Sequence, residues 1–522
     1  MPTLARSASS RSRWRGVRSA LIGVAAAMWL AAGAVAGGPG ELTDDVQRLI
    51  NARKFGTARV GVSVLDAESG AVLADVRAGE AFTPASNMKL LTSGAALMVL
   101  GEEFSFRTEL ARDGDRVIVR GGGDPALADP VVLGRMEPKM DVGRVMDVLT
   151  GAVAKTGMRE VREIVVDDRI FDREFVPASW PVDQLNRGYA AETSGLNFHA
   201  NILSVFTAPG AAGVGGPAGY DLEPDARWLP VEVKARTVGQ GKNSAWVTRE
   251  PGANRFTLRG DVQGRSRAAI EVTLHDPAMF FGHLLAQDLA TAGVRVGGRG
   301  MMPGEAPAGV RLAGADETLP AGKTIAVIRT PIAEVLSRCN SDSENLYAES
   351  LMKRMGHEVT KEPGSWSNGA AVVRMMLTQR LGADAATGTT IVDGSGLSRG
   401  NRVAPATLTR WLGELSRDET TRDVFTASLA EPGAGTLKKR FLGARLGNKL
   451  RAKSGFINGV RCLSGYVTHE GTGRRLCFSV MVNDIASDEQ HAAAIELHEE
   501  VVKTLDAWLT AKVAAEAPVV GG

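Results

Sequence analysis

At 522 residues, with 44% hydrophobic and 23% charged side chains, the chain has ordinary globular usage and room for about two to four domains, which excludes a disordered, collagen-like or disulfide-scaffold protein and a lone small binding module. Arg6, Arg11, Arg13, Arg15 and Arg18 fall in the first 36 residues without an acidic neighbour, so removing that segment would turn the formal charge from +2 to −3. A nearly neutral surface exerts no long-range pull on phosphate backbones, and no nucleic-acid partner is expected.

The arginines precede an apolar run over 20–35 that ends in Ala34-Val35-Ala36 before Gly37-Gly38-Pro39-Gly40. A basic n-region, an apolar h-region and an A-x-A site make residues 1–36 a signal peptide cleaved after Ala36, with an uncleaved anchor as the alternative. No other stretch is long and apolar enough to span a bilayer, so the mature chain is expected outside the cytoplasm with at most peripheral membrane contact. Residues 59–65 and 71–76 read as a hairpin, with turn residues between them. Thr83 is a suitable N-cap and Pro84 a suitable first helical residue for the apolar run 90–100, which ends at Gly101.

From 108 to 273 the texture changes to short β-branched runs (116–119, 163–166, 232–238, 256–258, 269–274), with one helix near 142–155 and a Gly/Ala/Pro loop at 208–219 that is expected to be mobile. This reads as an inserted, mainly β region of one or two nested domains, leaving 41–107 and 274–513 as a discontinuous outer domain. Helices are expected at 278–292, 332–339, 344–355, 369–381, 405–416 and 488–513, strands at 460–467 and 476–482, and a flexible tail over 514–522. Cys339, Cys462 and Cys477 allow at most one bridge. Cys462 and Cys477 flank a turn at 469–473, where a cross-strand disulfide and two buried thiols both remain open.

Ser86 and Lys89 stand three apart at the start of the apolar helix, which puts the ammonium beside the hydroxyl on one face. A serine hydroxyl becomes nucleophilic when a neighbouring base takes its proton, and a lysine serves if burial or a cation lowers its pKa. Placed at the third helical position, Ser86 would also offer a free N–H to an oxyanion. A second S-x-x-K, Ser350 to Lys353, lies in mid-helix without a cap and is expected to be structural. Ser343-Glu344-Asn345 opens a helix with a hydroxyl and a carboxamide, and Lys453-Ser454-Gly455 precedes a hairpin, where an edge strand would present a cation and a hydroxyl. Gly396-Leu397-Ser398-Arg399-Gly400 fits the nucleophile elbow G-x-S-x-G, but no helix follows at once and no alternating βα series surrounds it. No H-E-x-x-H pair or zinc-type cysteine spacing is present, so no metal or other cofactor is expected.

Taken in this order, the three motifs resemble S-x-x-K, S-x-N and K-[ST]-G of the active-site serine penicillin-binding proteins. Ser86 and Ser343 are 257 residues apart, and so long an insertion is similar to that of the D-alanyl-D-alanine carboxypeptidase/endopeptidase group, peptidase family S13, the class C low-molecular-mass penicillin-binding proteins. The phrases Gly121-Gly122-Gly123-Asp124-Pro125, Gly195-Leu196-Asn197-Phe198, Asp393-Gly394-Ser395-Gly396-Leu397-Ser398-Arg399 and Ser464-Gly465-Tyr466-Val467 support the resemblance, which covers about residues 42–510.

The resemblance implies an α/β (α+β) fold: a β-lactamase/transpeptidase-like three-layer domain, with mainly β domains inserted between the first and second motifs. It also implies a periplasmic serine DD-peptidase that acts on peptidoglycan stem peptides and cross-links and is inhibited by β-lactams. Ser86 would be the nucleophile, Lys89 its base, Ser343 the proton donor to the leaving amine and Asn345 a substrate-amide binder. Lys453 would supply positive charge and Ser454 would hold the terminal carboxylate, while Gly455 and Phe456 complete the strand, the Phe456 and Ser86 N–H groups forming the oxyanion hole. Glu344 and Ser454 replace the commoner Asp/Asn and Thr. Glu344 is expected to point away from the site, and Phe456 to narrow the groove. A β-lactamase, and a non-catalytic peptidoglycan-binding or scaffold protein, are the alternative readings; oligomeric state is not legible.

Overall fold

The computed structural model describes residues 40–298 and 304–517. The expected signal peptide with its expected cleavage site and the end of the expected tail, 518–522, lie outside the described residues. Helix α1 (Thr43–Asn51) leads into the hairpin of β1 (Arg59–Asp66) and β2 (Val72–Val76), paired antiparallel from Val62↔Val76. Helix α2 (Met88–Leu100) follows, buried from Met88 to Leu97, its short polar stripe of Lys89, Thr92 and Ser93 being turned inward onto buried partners.

The approach to α2 differs from the expected cap. The Thr83 hydroxyl accepts from Arg402 Nη1 at 3.0 Å and its N–H donates to Asn483 Oδ1 at 2.7 Å, so neither serves the helix end. Ala85 takes φ +45° and residues Ala85–Asn87 form a single 3₁₀ turn. Ser86 therefore sits in that turn rather than at the third position of an α-helix. A tertiary contact explains the departure: Gly396 packs so tightly on this turn that a Cβ there would lie 1.8 Å from the Ala85 carbonyl oxygen.

The insertion runs through β3 (Ser105–Asp113), β4 (Arg116–Arg120), α3 (Val142–Ala154), β5 (Glu163–Asp167), β6 (Ile202–Ala208), β7 (Gly219–Glu223), β8 (Ile270–Thr273), α4 (Pro277–Thr291), β9 (Val310–Leu312) and β10 (Lys323–Pro331). Its main sheet has the order β9-β5-β4-β3-β10, and a smaller one the order β8-β6-β7. The boundary drawn at 273 falls inside this body. Phe280, Phe281, Leu284 and Leu289 of α4 share one core with Leu110, Val119, Ile164, Val166, Leu203 and Val272, and β10 pairs with β3 from Ser105↔Pro331 to Arg112↔Lys323. That core also joins the two suspected nested domains. The chain leaves and returns at one point, where the Ile332 N–H donates to the Phe104 carbonyl at 2.9 Å.

The outer body continues through α5 (Ile332–Asn340), α6 (Asn345–Thr360), α7 (Trp366–Leu381), α8 (Pro405–Arg417), β11 (Lys449–Ile457), β12 (Val460–Thr468), β13 (Arg475–Asn483) and α9 (Asp488–Glu516). Its antiparallel sheet has the order β11-β12-β13-β1-β2, with β11 at the edge. One face packs Val62, Val64, Leu463 and Val480 against Leu497, Val501 and Leu505 of α9. The other face packs Tyr466 and Cys477 against Leu90 of α2 and Trp411 of α8, and Tyr466 Oη donates to the Leu412 carbonyl at 2.8 Å. This is the three-layer arrangement. Helix α9 extends to Glu516, past the expected start of a tail. The register sets Cys462 opposite Met481 and Cys477 opposite Tyr466, so both remain buried thiols. No described helix is long and apolar enough to cross a membrane.

Candidate active site

Lys89 is completely buried, and its Nζ has three neighbours: Ser86 Oγ at 3.2 Å, Asn345 Oδ1 at 2.6 Å and the Ser395 carbonyl oxygen at 2.9 Å. The Asn345 amide cannot be turned round, because its Nδ2 donates to the Tyr189 carbonyl at 2.7 Å. A neutral amine has two N–H bonds and one lone pair. Asn345 Oδ1 and the Ser395 oxygen can only accept, so together they take both N–H bonds and leave the lone pair for the Ser86 hydroxyl. Burial pushes Lys89 below the usual lysine range, against the Glu349, Glu344 and Asp393 carboxylates, which favour the cation.

On the opposite wall, edge strand β11 carries Lys453, whose Nζ donates to Ser343 Oγ and to the Ser454 carbonyl, both at 2.8 Å. Burial first, and the Lys89 charge second, push Lys453 well below its ordinary value. Gly455 lets this strand approach the nucleophile's turn, since a Cβ there would sit 2.8 Å from the Pro84 oxygen. Ser343 holds φ +69° just before α6. Such a backbone costs about 1 to 3 kcal/mol and persists only where its surroundings fix it. Arg338 does so from α5, lying 3.3 Å from Asp342, 3.8 Å from Glu344 and 3.1 Å from Asp129 of the insertion. Glu344 accepts the Asn345 N–H at 3.2 Å and lies 3.8 Å from Arg338, near enough for its charge to act on Lys89 as well. Phe456 stands 55% exposed on the other face of β11 from Lys453, with the Arg461 guanidinium 3.8 Å from its ring centre.

The structure thus brings Ser86, Lys89 and Asn345 together and sets the Ser343 hydroxyl and the Ser454 main-chain carbonyl beside the Lys453 amine. It separates the decoys. Lys353 reaches Asp172 and the Glu174 carbonyl and lies 3.7 Å above the Trp366 ring, while the Ser350 hydroxyl is buried without a partner. Ser398 is buried, its N–H donating to Asp393 at 2.6 Å and its hydroxyl accepting from the Gly400 N–H, a turn rather than an elbow. A cavity of about 560 Å³ lined by Leu133, Met136, Val145 and Ile328 of the insertion and by Ala333 and Glu334 of α5 includes none of the motif residues.

Sequence reasoning missed the residues that hold the motifs in place. Glu349, one turn beyond Asn345, accepts the Gly394 and Ser395 N–H groups at 2.9 and 2.8 Å. Asp393 accepts the Gly396 N–H and, at 2.8 Å, the Trp180 Nε1 of the insertion. The available signal was an acidic residue spaced i+4 from Asn345 and an acid within a Gly/Ser loop.

Residues 42–505 match the family model described as the D-Ala-D-Ala carboxypeptidase 3 (S13) family. The chain is 32% identical over 479 residues to a D-alanyl-D-alanine carboxypeptidase of an Actinomadura species, covering 88% of this chain and 85% of that protein. It is 22% identical over 469 residues to the D-alanyl-D-alanine carboxypeptidase DacB of Haemophilus influenzae, covering 86% and 91%. The crystal structure of penicillin-binding protein 4 from Haemophilus influenzae matches with a TM-score of 0.69 at 20% identity, over 88% of this chain and 99% of that one. The same protein in complex with a β-lactam matches with a TM-score of 0.67 at 19% identity. The long insertion between the first two motifs and the three-layer outer body agree with these matches, and the chain belongs to the D-Ala-D-Ala carboxypeptidase 3 (S13) family.

Proposed function

We propose that Ser86 is the acylated nucleophile, and Lys89 its general base, in this serine-type D-Ala-D-Ala carboxypeptidase of peptidoglycan. The observation that carries the reading is the pair of carbonyl acceptors on Lys89, which leaves its lone pair facing Ser86. As Ser86 Oγ bonds to the carbonyl carbon of the penultimate D-Ala, its proton passes to Lys89 Nζ. The negative charge that develops on the carbonyl oxygen is met by the Ser86 and Phe456 N–H groups. Collapse breaks the C–N bond, and the leaving amine takes its proton from Ser343 Oγ, which recovers one from the Lys453 ammonium bonded to it. Water then adds to the ester carbonyl, passing a proton through Ser343 back to Lys453, and as the ester bond breaks Ser86 Oγ takes back the proton held by Lys89. Asn345 spends one Nδ2–H on Tyr189, and the other binds a substrate amide carbonyl. Ser454 receives the terminal carboxylate, whose arrival favours the charged form of Lys453. Both the terminal D-Ala-D-Ala bond and the D-Ala-meso-diaminopimelate cross-link offer this acyl group, and a β-lactam acylates the same serine. Export, with cleavage after Ala36, would bring the enzyme to a substrate that lies outside the cytoplasm.

Purified sacculi treated with the enzyme should lose terminal D-Ala or cross-linked dimers. A folded, penicillin-acylated enzyme that changed neither product would overturn the substrate. Lys453→Ala frees the Ser343 hydroxyl as well as removing charge, so acylation should fall by about 100-fold or more, with Lys453→Arg recovering part of it. Equal acylation rates in the wild type and Lys453→Ala, measured by stopped flow with a chromogenic cephalosporin, would remove Lys453 from the mechanism.

A further inference from the structure

The proposed nucleophile needs the Lys89 lone pair in one direction, and that direction depends on two carbonyl oxygens. Asn345 supplies one from a helix. The other belongs to Ser395, in a loop with no secondary structure of its own. Two acids fix this loop: Asp393 within it, which accepts the Gly396 N–H at 2.8 Å, and Glu349, a fully buried carboxyl on α6. Its Oε1 accepts from the Ser395 N–H at 2.8 Å, and its Oε2 accepts from the Gly394 N–H at 2.9 Å and from Trp366 Nε1 at 2.8 Å. Thr92 of α2 donates to the Gly394 carbonyl at 2.8 Å, tying the same loop to the helix of the nucleophile. An acid is a costly choice for an anchor in a dry core, since a buried carboxylate loses far more hydration than a neutral side chain. Only a carboxylate presents both oxygens as acceptors toward three donors.

We propose that Glu349 is a positioning residue for Lys89: by gripping both peptide N–H groups it aims the Ser395 carbonyl at the amine, and so aims the amine lone pair at Ser86. This inference rests on the Ser86 and Lys89 assignments above. Four titratable groups face Glu349: Lys89 from α2, Cys339 from α5, Lys353 on its own helix and Asp393 in the loop. Burial, and secondarily the Asp393 charge, push Glu349 up to about 7. Protonation would turn one oxygen into a donor facing N–H donors and release part of the grip.

The test separates pre-covalent binding of a chromogenic cephalosporin from its acylation rate constant, in full-length protein with melts recorded. Glu349→Gln puts an NH₂ group against an N–H donor. Its acylation rate constant should fall on the order of 100-fold, as for a small misplacement of reacting groups, with the pre-covalent constant within about threefold of wild type. A folded Glu349→Gln protein that acylates within about threefold of wild type would overturn the proposal. Trp366→Phe keeps the carboxylate and carries the test alone if the Gln variant does not fold. It removes a hydrogen bond that lowers the Glu349 pKa, so Glu349 protonates at higher pH and the acid limb of the acylation rate should move to higher pH. A carboxylate acting only through its charge would do the reverse, because its neutralisation lowers the Lys89 pKa. An acid limb that stayed in place or moved to lower pH would therefore sink the positioning role. Peptide mass mapping of the wild-type adduct tests the Ser86 assignment separately, since an adduct elsewhere defeats that assignment whatever Glu349 does.

Discussion

Replacing Ser86 by alanine should abolish covalent labelling by a fluorescent penicillin while leaving the melt almost unchanged. The hydroxyl is half-buried in a 3₁₀ turn, and the hydrogen bond it loses is the 3.2 Å contact with Lys89. A surface-side loss of this kind costs about 0.5 kcal/mol or less. The chemistry, by contrast, has no substitute. Ser350 is sealed in the core and Ser398 is tied into its own turn, so neither can reach a β-lactam carbonyl. Ser350→Ala is the matched control: it removes a buried hydroxyl without a partner, so labelling should persist and stability should not fall. Labelling that survived in Ser86→Ala, or vanished in a folded Ser350→Ala, would mean that the other S-x-x-K is the reactive one.

What could be read beforehand, and what could not, divides along a physical line. Side chains with chemistry declare themselves: Ser86, Lys89, Ser343 and Asn345 stand at helix starts, and Lys453, mid-strand on the sheet edge, follows them in a recognisable order. Main-chain groups do not. The Ser395 and Tyr189 carbonyls complete the surroundings of Lys89 and Asn345, yet a carbonyl is common to every residue and leaves no mark in a sequence. The insertion boundary failed for a related reason. Strand β10 has only Thr330 buried among nine residues, so no alternation marks it, and α4 reads as an apolar core helix without saying which core it enters. The expected cap at Thr83 was a sound local preference, overridden by Gly396 packing on Ala85 and by Asn483 and Arg402 taking the Thr83 polar groups. In each case a contact distant in sequence decided a local matter.

Excising the insertion tests whether it only orients polymer or also shapes the catalytic centre. A junction from Arg107 to His275 would strand α4, β9 and β10, leaving Phe280, Phe281, Leu284 and Leu289 without the core they fill, and that protein should not fold. Phe104 and Ile332 make the better junction because their main chains are already hydrogen-bonded at 2.9 Å, and a short Gly/Ser linker spans such a gap without strain. The excised protein still loses apolar cover, since Ala126, Val132 and Ala200 of the insertion pack into the core around α2, so a cooperative melt is the first measurement. It also loses four holds on the site: the Tyr189 carbonyl on Asn345, Trp180 on Asp393, Asp129 on Arg338, and Arg135, whose guanidinium bonds Asp342 at 2.6 Å. Acylation by a small β-lactam should therefore slow on the order of 100-fold, even though no motif residue is removed, because each lost contact loosens a group that must be placed within a fraction of an ångström. Digestion of sacculi should fall further, since remote binding to the polymer goes as well. The full-length variant Trp180→Phe isolates one of these holds and should slow acylation with an unchanged melt. If the folded excision protein and Trp180→Phe both acylated at the wild-type rate, the insertion would have no part in arranging the catalytic centre, and its four contacts would serve only to dock it.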